Sequence, residues 1–106
     1  MTSRESDLLA QIPNQLFIGG RWVDAEGQKT LDVFDPSTGE VIRRIADASP
    51  ADGIRALDAA VAAQEAWAAT APRERSDILR RAFDLVQARK EDLALLMTLE
   101  MGKPLA

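Results

Sequence analysis

Apolar residues come first in short alternating runs and later at helical spacing. Leu16-Phe17-Ile18 is a β-prone run, and the Gly19-Gly20 pair after it supplies positive φ without steric cost. Arg21 to Asp24 resumes the strand pattern around Trp22, so LFIGGRWV predicts a tight hairpin. Ala25 to Lys29 is a polar loop through Gly27. Thr30 to Phe34 predicts a third strand with Leu31 and Val33 on one face, and Glu40 to Ala46 a fourth. Between them, Asp35-Pro36-Ser37-Thr38-Gly39 combines a residue that presets φ with side chains that bond nearby backbone and a Gly for the left-handed position, which is a strong turn signal. Ahead of all this, residues 1–15 mix polar positions with Leu8, Leu9 and Ile12 before Pro13. That pattern predicts a loose, flexible tail with room for one helical turn.

From Ser49 the period changes. Ser49 is suited to cap a helix, Pro50 to occupy its first position and Asp52 to sit at the positive end of its dipole. The predicted helix runs to about Ala69, with Ile54, Leu57, Val61 and Ala68 on one face and Ala60 and Trp67 beside it. Pro72 starts another helix, with Ile78, Leu79, Ala82, Leu85 and Val86 as its apolar face. A third, separate or continuous with the second, carries Leu93, Leu96 and Met97, with Leu95 and Leu99 widening the stripe. Gly102 marks its end, and Pro104 reads as the first turn of a next helix. The fold class is therefore α+β, two β-hairpins followed by two or three amphipathic helices.

Composition narrows the function. The 106 residues suit one small domain, and 46% hydrophobic with 28% charged residues is a globular balance. A net charge of −4 with no basic stripe gives no footprint for nucleic acid. No apolar run is long enough to span a membrane, and the opening MTSRESDLLAQ lacks the basic start and apolar stretch of a secretory signal, so a cytoplasmic location is expected. The chain has neither Cys nor His. It therefore lacks a thiolate nucleophile, a sulfur ligand for zinc, the usual base near neutral pH and the commonest metal ligand.

The remaining candidates favour structural readings. Gly19-Gly20 joins two strands, whereas a phosphate-cradling loop leads from a strand into a helix. Asp35 and Glu40 are two carboxylates, too few for a calcium loop with its 6–8 oxygens. Lys103 lacks the surrounding pattern of a phosphate-binding lysine and reads as a charge near a helix end. Arg80, Arg81, Arg89 and Lys90 are interleaved with Asp77, Asp84, Glu91 and Asp92, the mark of a solvated helix face. Trp22, Trp67 and Phe83 read as core or interface residues. The residues by themselves define a unit without a reaction centre, and a non-catalytic interaction or scaffolding module is one reading of it.

Four stretches carry a resemblance. FIGGRWVDA (Phe17 to Ala25), DVFDPSTGEVI (Asp32 to Ile42), APRERSDILRRAFDLV (Ala71 to Val86) and LEMGKPLA (Leu99 to Ala106) are similar, in this order and spacing, to the beginning of NAD(P)-dependent aldehyde dehydrogenases, with wording like that of the succinate-semialdehyde branch. The resemblance implies that residues 16–106 are the amino-terminal part of an α/β nucleotide-binding domain, cut at Ala106, after the tail of residues 1–15. It implies an oxidoreductase in full-length form, in which a Cys thiolate attacks the aldehyde, hydride passes to NAD or NADP, and a Glu-activated water releases the acid. The family's catalytic Cys and Glu and its cofactor segment lie outside the matched part. No catalytic or cofactor-binding residue carries over, and no cofactor is expected on this chain alone. Some family members hold a monovalent cation partly by backbone carbonyls just before the Asn/Asp-Pro turn, which here implies Val33 or Phe34. The implied partners are the rest of the dehydrogenase chain or a homo-oligomer, with no nucleic acid and no membrane.

Overall fold

The computed structural model describes residues 1–105; Ala106, the end of the second predicted segment, lies outside them. The elements follow in the order α1 (Ser3–Gln11), β1 (Leu16–Ile18), β2 (Arg21–Val23), a 3-10 turn (Glu26–Gln28), β3 (Thr30–Phe34), β4 (Val41–Ala46), α2 (Pro50–Ala69), α3 (Pro72–Ala88) and α4 (Lys90–Met101). Each hairpin is its own two-stranded antiparallel sheet. Gly19 (φ 62°) and Gly20 (φ 77°) make the first turn, with positive φ at both central positions, and the register pairs Phe17 with Trp22. The rings of that pair lie 4.9 Å apart. The second hairpin pairs Thr30 with Ala46 and carries an irregularity between Val33 and Phe34.

The first correction concerns the amino terminus. Residues 3–11 form a helix rather than a loose tail, and the reason is local. The Thr2 hydroxyl accepts from the Glu5 amide at 3.2 Å, and the Glu5 carboxylate accepts from the Thr2 amide at 2.7 Å, a complete capping box. At the other end the Arg43 guanidinium donates to the carbonyls of Leu9 (2.8 Å) and Ile12 (2.6 Å), taking up acceptors that a helix end leaves unpaired. Leu8 and Leu9 then pack against Leu95 and Leu99 of α4, with Ile12, Ile42 and Leu96 around them.

That packing also revises the reading of α4. Its buried face is Leu95 and Leu99, whereas Met97 stays half exposed. The chain breaks at Arg89 (φ −108°, ψ 14°), so α3 and α4 are separate helices. Gly102 ends α4 in the left-handed region (φ 77°). Its bare Cα also lets the hairpin turn approach, since a Cβ there would lie 3.2 Å from Pro36 Cγ.

The longer helices are finished differently. Asp52 is the one buried residue of α2, and α3 contributes none. Ile54, Leu57 and Val61 are each about 60% exposed, and Leu79, Leu85 and Val86 are exposed as well. The accessible surface is 8173 Å², where a folded monomer of this mass has about 5,800 Å². The radius of gyration is 16.9 Å, against about 13 Å for a compact domain of this length.

Candidate functional site

The most enclosed polar cluster lies where α2 begins. Asp52 is 1% exposed. Its Oδ2 accepts from the Glu26 amide (2.9 Å) and the Ser49 amide (2.9 Å), and its Oδ1 accepts from the Arg55 guanidinium. The Ser49 hydroxyl accepts from the Asp52 amide at 3.1 Å and donates to the Glu26 carboxylate at 2.7 Å. Sequence explains half of this. Ser49-Pro50-Ala51-Asp52 is a capping box with Pro at the first helical position. The other half is long-range, because Glu26 comes from the 3-10 turn and Ala25 beside it is buried.

This cluster is a fastening, not a reaction centre. The Glu26 amide first, then the Ser49 amide and the Arg55 guanidinium, hold the Asp52 carboxyl well below the usual carboxylate range. A carboxylate held this far down lacks the basicity to take a proton from a substrate.

The positions singled out in the sequence lie apart from it. Asp35 accepts from the Ser37 hydroxyl (2.7 Å) and amide (2.8 Å), which lowers its pKa and makes it the turn-former. Glu40 sits across the same turn, its amide donating to the Thr38 hydroxyl. Among the described residues no group of three His, Cys, Asp or Glu side chains is placed to hold a metal ion. Val33 and Phe34 lie side by side at the irregularity of β3, opposite Arg43 and Val41. Lys103 follows the Gly102 cap, and its carbonyl accepts from the Thr98 hydroxyl. On α3 the Arg80 guanidinium lies 3.6 Å from Asp84 and over the Phe83 ring at 4.9 Å, while Arg4 reaches Asp92 of α4 at 3.7 Å. These exposed pairs are each worth at most about 1 kcal/mol.

Sequence reasoning missed two fastenings. Arg43 lies in the fourth predicted strand, and nothing in that pattern announces that it closes α1. Thr2-Ser3-Arg4-Glu5 has the capping-box spacing that announces α1. A dinucleotide site on an open α/β sheet forms at the carboxyl ends of parallel strands. Both described sheets are antiparallel hairpins, and Gly19-Gly20 joins strand to strand, so the described residues do not fit such a cofactor.

Two antiparallel hairpins followed by three helices recur in known proteins. The family model of the aldehyde dehydrogenases matches residues 22–106, and the chain belongs to that family. Among curated proteins it is 65% identical over 66 residues to a succinate-semialdehyde dehydrogenase of Paenarthrobacter nicotinovorans, a match covering 62% of this chain and 15% of that one. Among solved structures it is similar to succinate-semialdehyde dehydrogenase from Burkholderia pseudomallei, with 45% identity and a TM-score of 0.86 over 91% of this chain and 20% of that one. It is also similar to betaine aldehyde dehydrogenase from Staphylococcus aureus in complex with NAD+, with 31% identity and a TM-score of 0.93 over 97% of this chain and 21% of that one. The chain thus spans about one fifth of the length of the solved relatives.

Proposed function

We propose that this chain is the amino-terminal part of an NAD(P)-dependent aldehyde dehydrogenase that in its whole form oxidises succinate semialdehyde to succinate. The observation that carries the substrate class is the 65% identity to a succinate-semialdehyde dehydrogenase. In this reading residues 16–106 belong to the nucleotide-binding domain, and their role is to scaffold it. The catalytic thiol, the general base and the aldehyde pocket come from the remaining chain, as does the site for NAD or NADP. The 106 residues alone are catalytically silent and bind neither nucleotide tightly, which accords with a sequence free of Cys and with the antiparallel hairpins. Val33 and Phe34 offer backbone carbonyls to a monovalent cation only once the other ligands are supplied. The cytoplasm is the compartment proposed, and no described helix is long and apolar enough to cross a membrane.

The test has two parts. The coding sequence beyond Ala106 is read, and the expected result is a frame that continues into a nucleotide-binding segment and a Cys-containing active site. The isolated chain is then incubated with succinate semialdehyde and NAD or NADP, and reduced nicotinamide is followed by absorbance. Turnover above a protein-free control, with contamination excluded, overturns the silent reading, as micromolar nucleotide affinity by calorimetry overturns the placement of the cofactor site.

A further inference from the structure

Asp52 is followed by Gly53, the single Asp-Gly pair in the sequence, and the one Asn, Asn14, precedes Gln15. An aspartyl residue before glycine is the chain position most open to isomerisation, because a residue without Cβ leaves its amide nitrogen unhindered and its backbone free to turn. We propose that Asp52-Gly53 is a site of spontaneous isoaspartate formation, held in check by the fastening at the start of α2 and released when that corner opens. In the first step the Gly53 nitrogen bonds to Asp52 Cγ and closes a five-membered succinimide. The hydroxyl of the protonated carboxyl leaves with the amide proton as water. In the second step water adds to the Asp52 backbone carbonyl carbon, and the bond from that carbon to the Gly53 nitrogen breaks. The nitrogen recovers its proton and keeps its bond to Cγ, while the old backbone carbonyl becomes a free carboxylate. One water leaves and one enters, so no oxidant or other reactant is needed.

Three features of the closed corner oppose the first step. Asp52 is buried, and its Oδ2 accepts from the Glu26 and Ser49 amides, so the carboxylate is tied to residues that precede it in the chain rather than to the amide that follows. The Gly53 amide donates to the Ser49 carbonyl at 3.1 Å, which holds the nitrogen in the first turn of α2. The bonds from Glu26, Ser49 and Arg55 also keep the carboxyl as its anion, whose oxygen is a poor leaving group. All three end together when the first turn opens, and helix ends open more readily than helix middles. Gly53 makes that opening easier, since glycine loses more freedom in a helix than any other residue. Packing does not call for it: a Cβ there would meet nothing within 4 Å, and its φ lies outside the left-handed region. Isomerisation also makes the opening one-way. The backbone then runs through the side-chain carbons, one methylene longer, and the carboxylate hangs from a different atom, so the capping box of Ser49 and Asp52 cannot close again.

The 106-residue chain is incubated at neutral pH with and without guanidinium chloride, at the highest temperature at which circular dichroism still shows full helix content without denaturant. Peptide mapping with electron-transfer fragmentation locates isoaspartate, and methyl transfer from S-adenosylmethionine by an isoaspartyl methyltransferase counts it. Asp24, Asp47 and Asp58, each followed by Ala, are references within the same chain. In denaturant, position 52 is expected to isomerise at least about tenfold faster than the references, and at least about tenfold faster than the same position without denaturant. Ser49→Ala, which loosens the corner, should speed the reaction in the folded chain and match the parent in denaturant. Gly53→Ala, whose methyl has room, should slow it in both. If position 52 is no faster than the references in denaturant, Asp52-Gly53 is not the site. Equal rates at position 52 with and without denaturant, or a folded Ser49→Ala chain no faster than the parent, overturn the control by the α2 fastening.

Discussion

The start of α2 and its later turns belong to one continuous helix, yet they are finished to different degrees. At the start, Asp52 is buried and both its oxygens accept hydrogen bonds, from Glu26, Ser49 and Arg55. A turn later, Ile54, Leu57 and Val61 present aliphatic side chains to water. In α2 the polar fastening is closed within this chain, and the aliphatic stripe is not. Hydrogen bonds at a helix end are local and need a few residues, whereas burying an aliphatic stripe needs a second surface of matching size. A segment of a larger domain can therefore have well-defined elements without the core that holds them together.

The largest expected effect follows directly. Each large aliphatic left in water forgoes about 1.5–3 kcal/mol of burial, and a whole domain is stable by only about 5–15 kcal/mol. The isolated chain is expected to unfold broadly at low temperature, to self-associate with concentration, and to bind dyes that report exposed apolar surface. Open hairpin edges add to the association. Thermal scans and sedimentation at several concentrations measure this. A strictly monomeric chain with a sharp, high-temperature transition would break the comparison, because the exposed stripes would then need no cover.

Next in size is the small core. Leu99 is 6% exposed and packs with Leu8, Leu9 and Leu95. Leu99→Ala is expected to cost about 2–5 kcal/mol, enough to release α1 from α4. Loss of helical circular dichroism and of amide protection in residues 3–11 is the measurement. If α1 stays protected, its capping box and Arg43 hold it without the leucines.

How much of this was legible in the sequence depends on range. Both hairpins and the helix starts at Pro50 and Pro72 follow from Gly pairs, Pro positions and alternation, all read within a few residues. Asp52 was legible as a helix-start residue, but its bond to Glu26 joins positions 26 apart, and no local pattern announces that. The α4 stripe is legible only in outline for the same reason. Leucines at 93, 95, 96 and 99 make one broad face, and the choice of Leu95 and Leu99 within it is made by α1. The helix α1 itself was signalled by Thr2 and Glu5, and its low apolar content masked the signal. Asp35 is legible as a turn-former because its partner, Ser37, is two residues away.

The fastening at α2 comes third. Ser49→Ala removes the hydroxyl that accepts from the Asp52 amide and donates to Glu26, an expected cost of about 0.5–2 kcal/mol. Asp52 adds a pH dependence whose sign is fixed. Its folded pKa lies below the unfolded one, so its stabilisation is complete above the unfolded value near ~4 and is lost as pH falls through the folded value. Helix content is expected to decline on acidification in the parent chain. Asp52→Asn should start lower at neutral pH and decline less. Equal acid profiles for the two would show that Asp52 does not hold the corner.

The smallest effect is expected at the face that gives the comparison its point. Leu57 is 61% exposed in the middle of α2, so truncating it removes little that is buried. Leu57→Ala should change the stability of the isolated chain by no more than about 0.5 kcal/mol, and the better helix propensity of Ala offsets part of that. The same substitution in the continuous dehydrogenase chain should cost several times more if the proposed reading gives the stripe a surface to meet there. Denaturant midpoints of both proteins, with and without the substitution, give the two differences directly. Equal small costs in both would mean that Leu57 faces water in the whole enzyme as well, and would move the missing partner surface from α2 to α3. A large cost in the isolated chain would mean instead that α2 is already covered, and the contrast between its two ends would disappear.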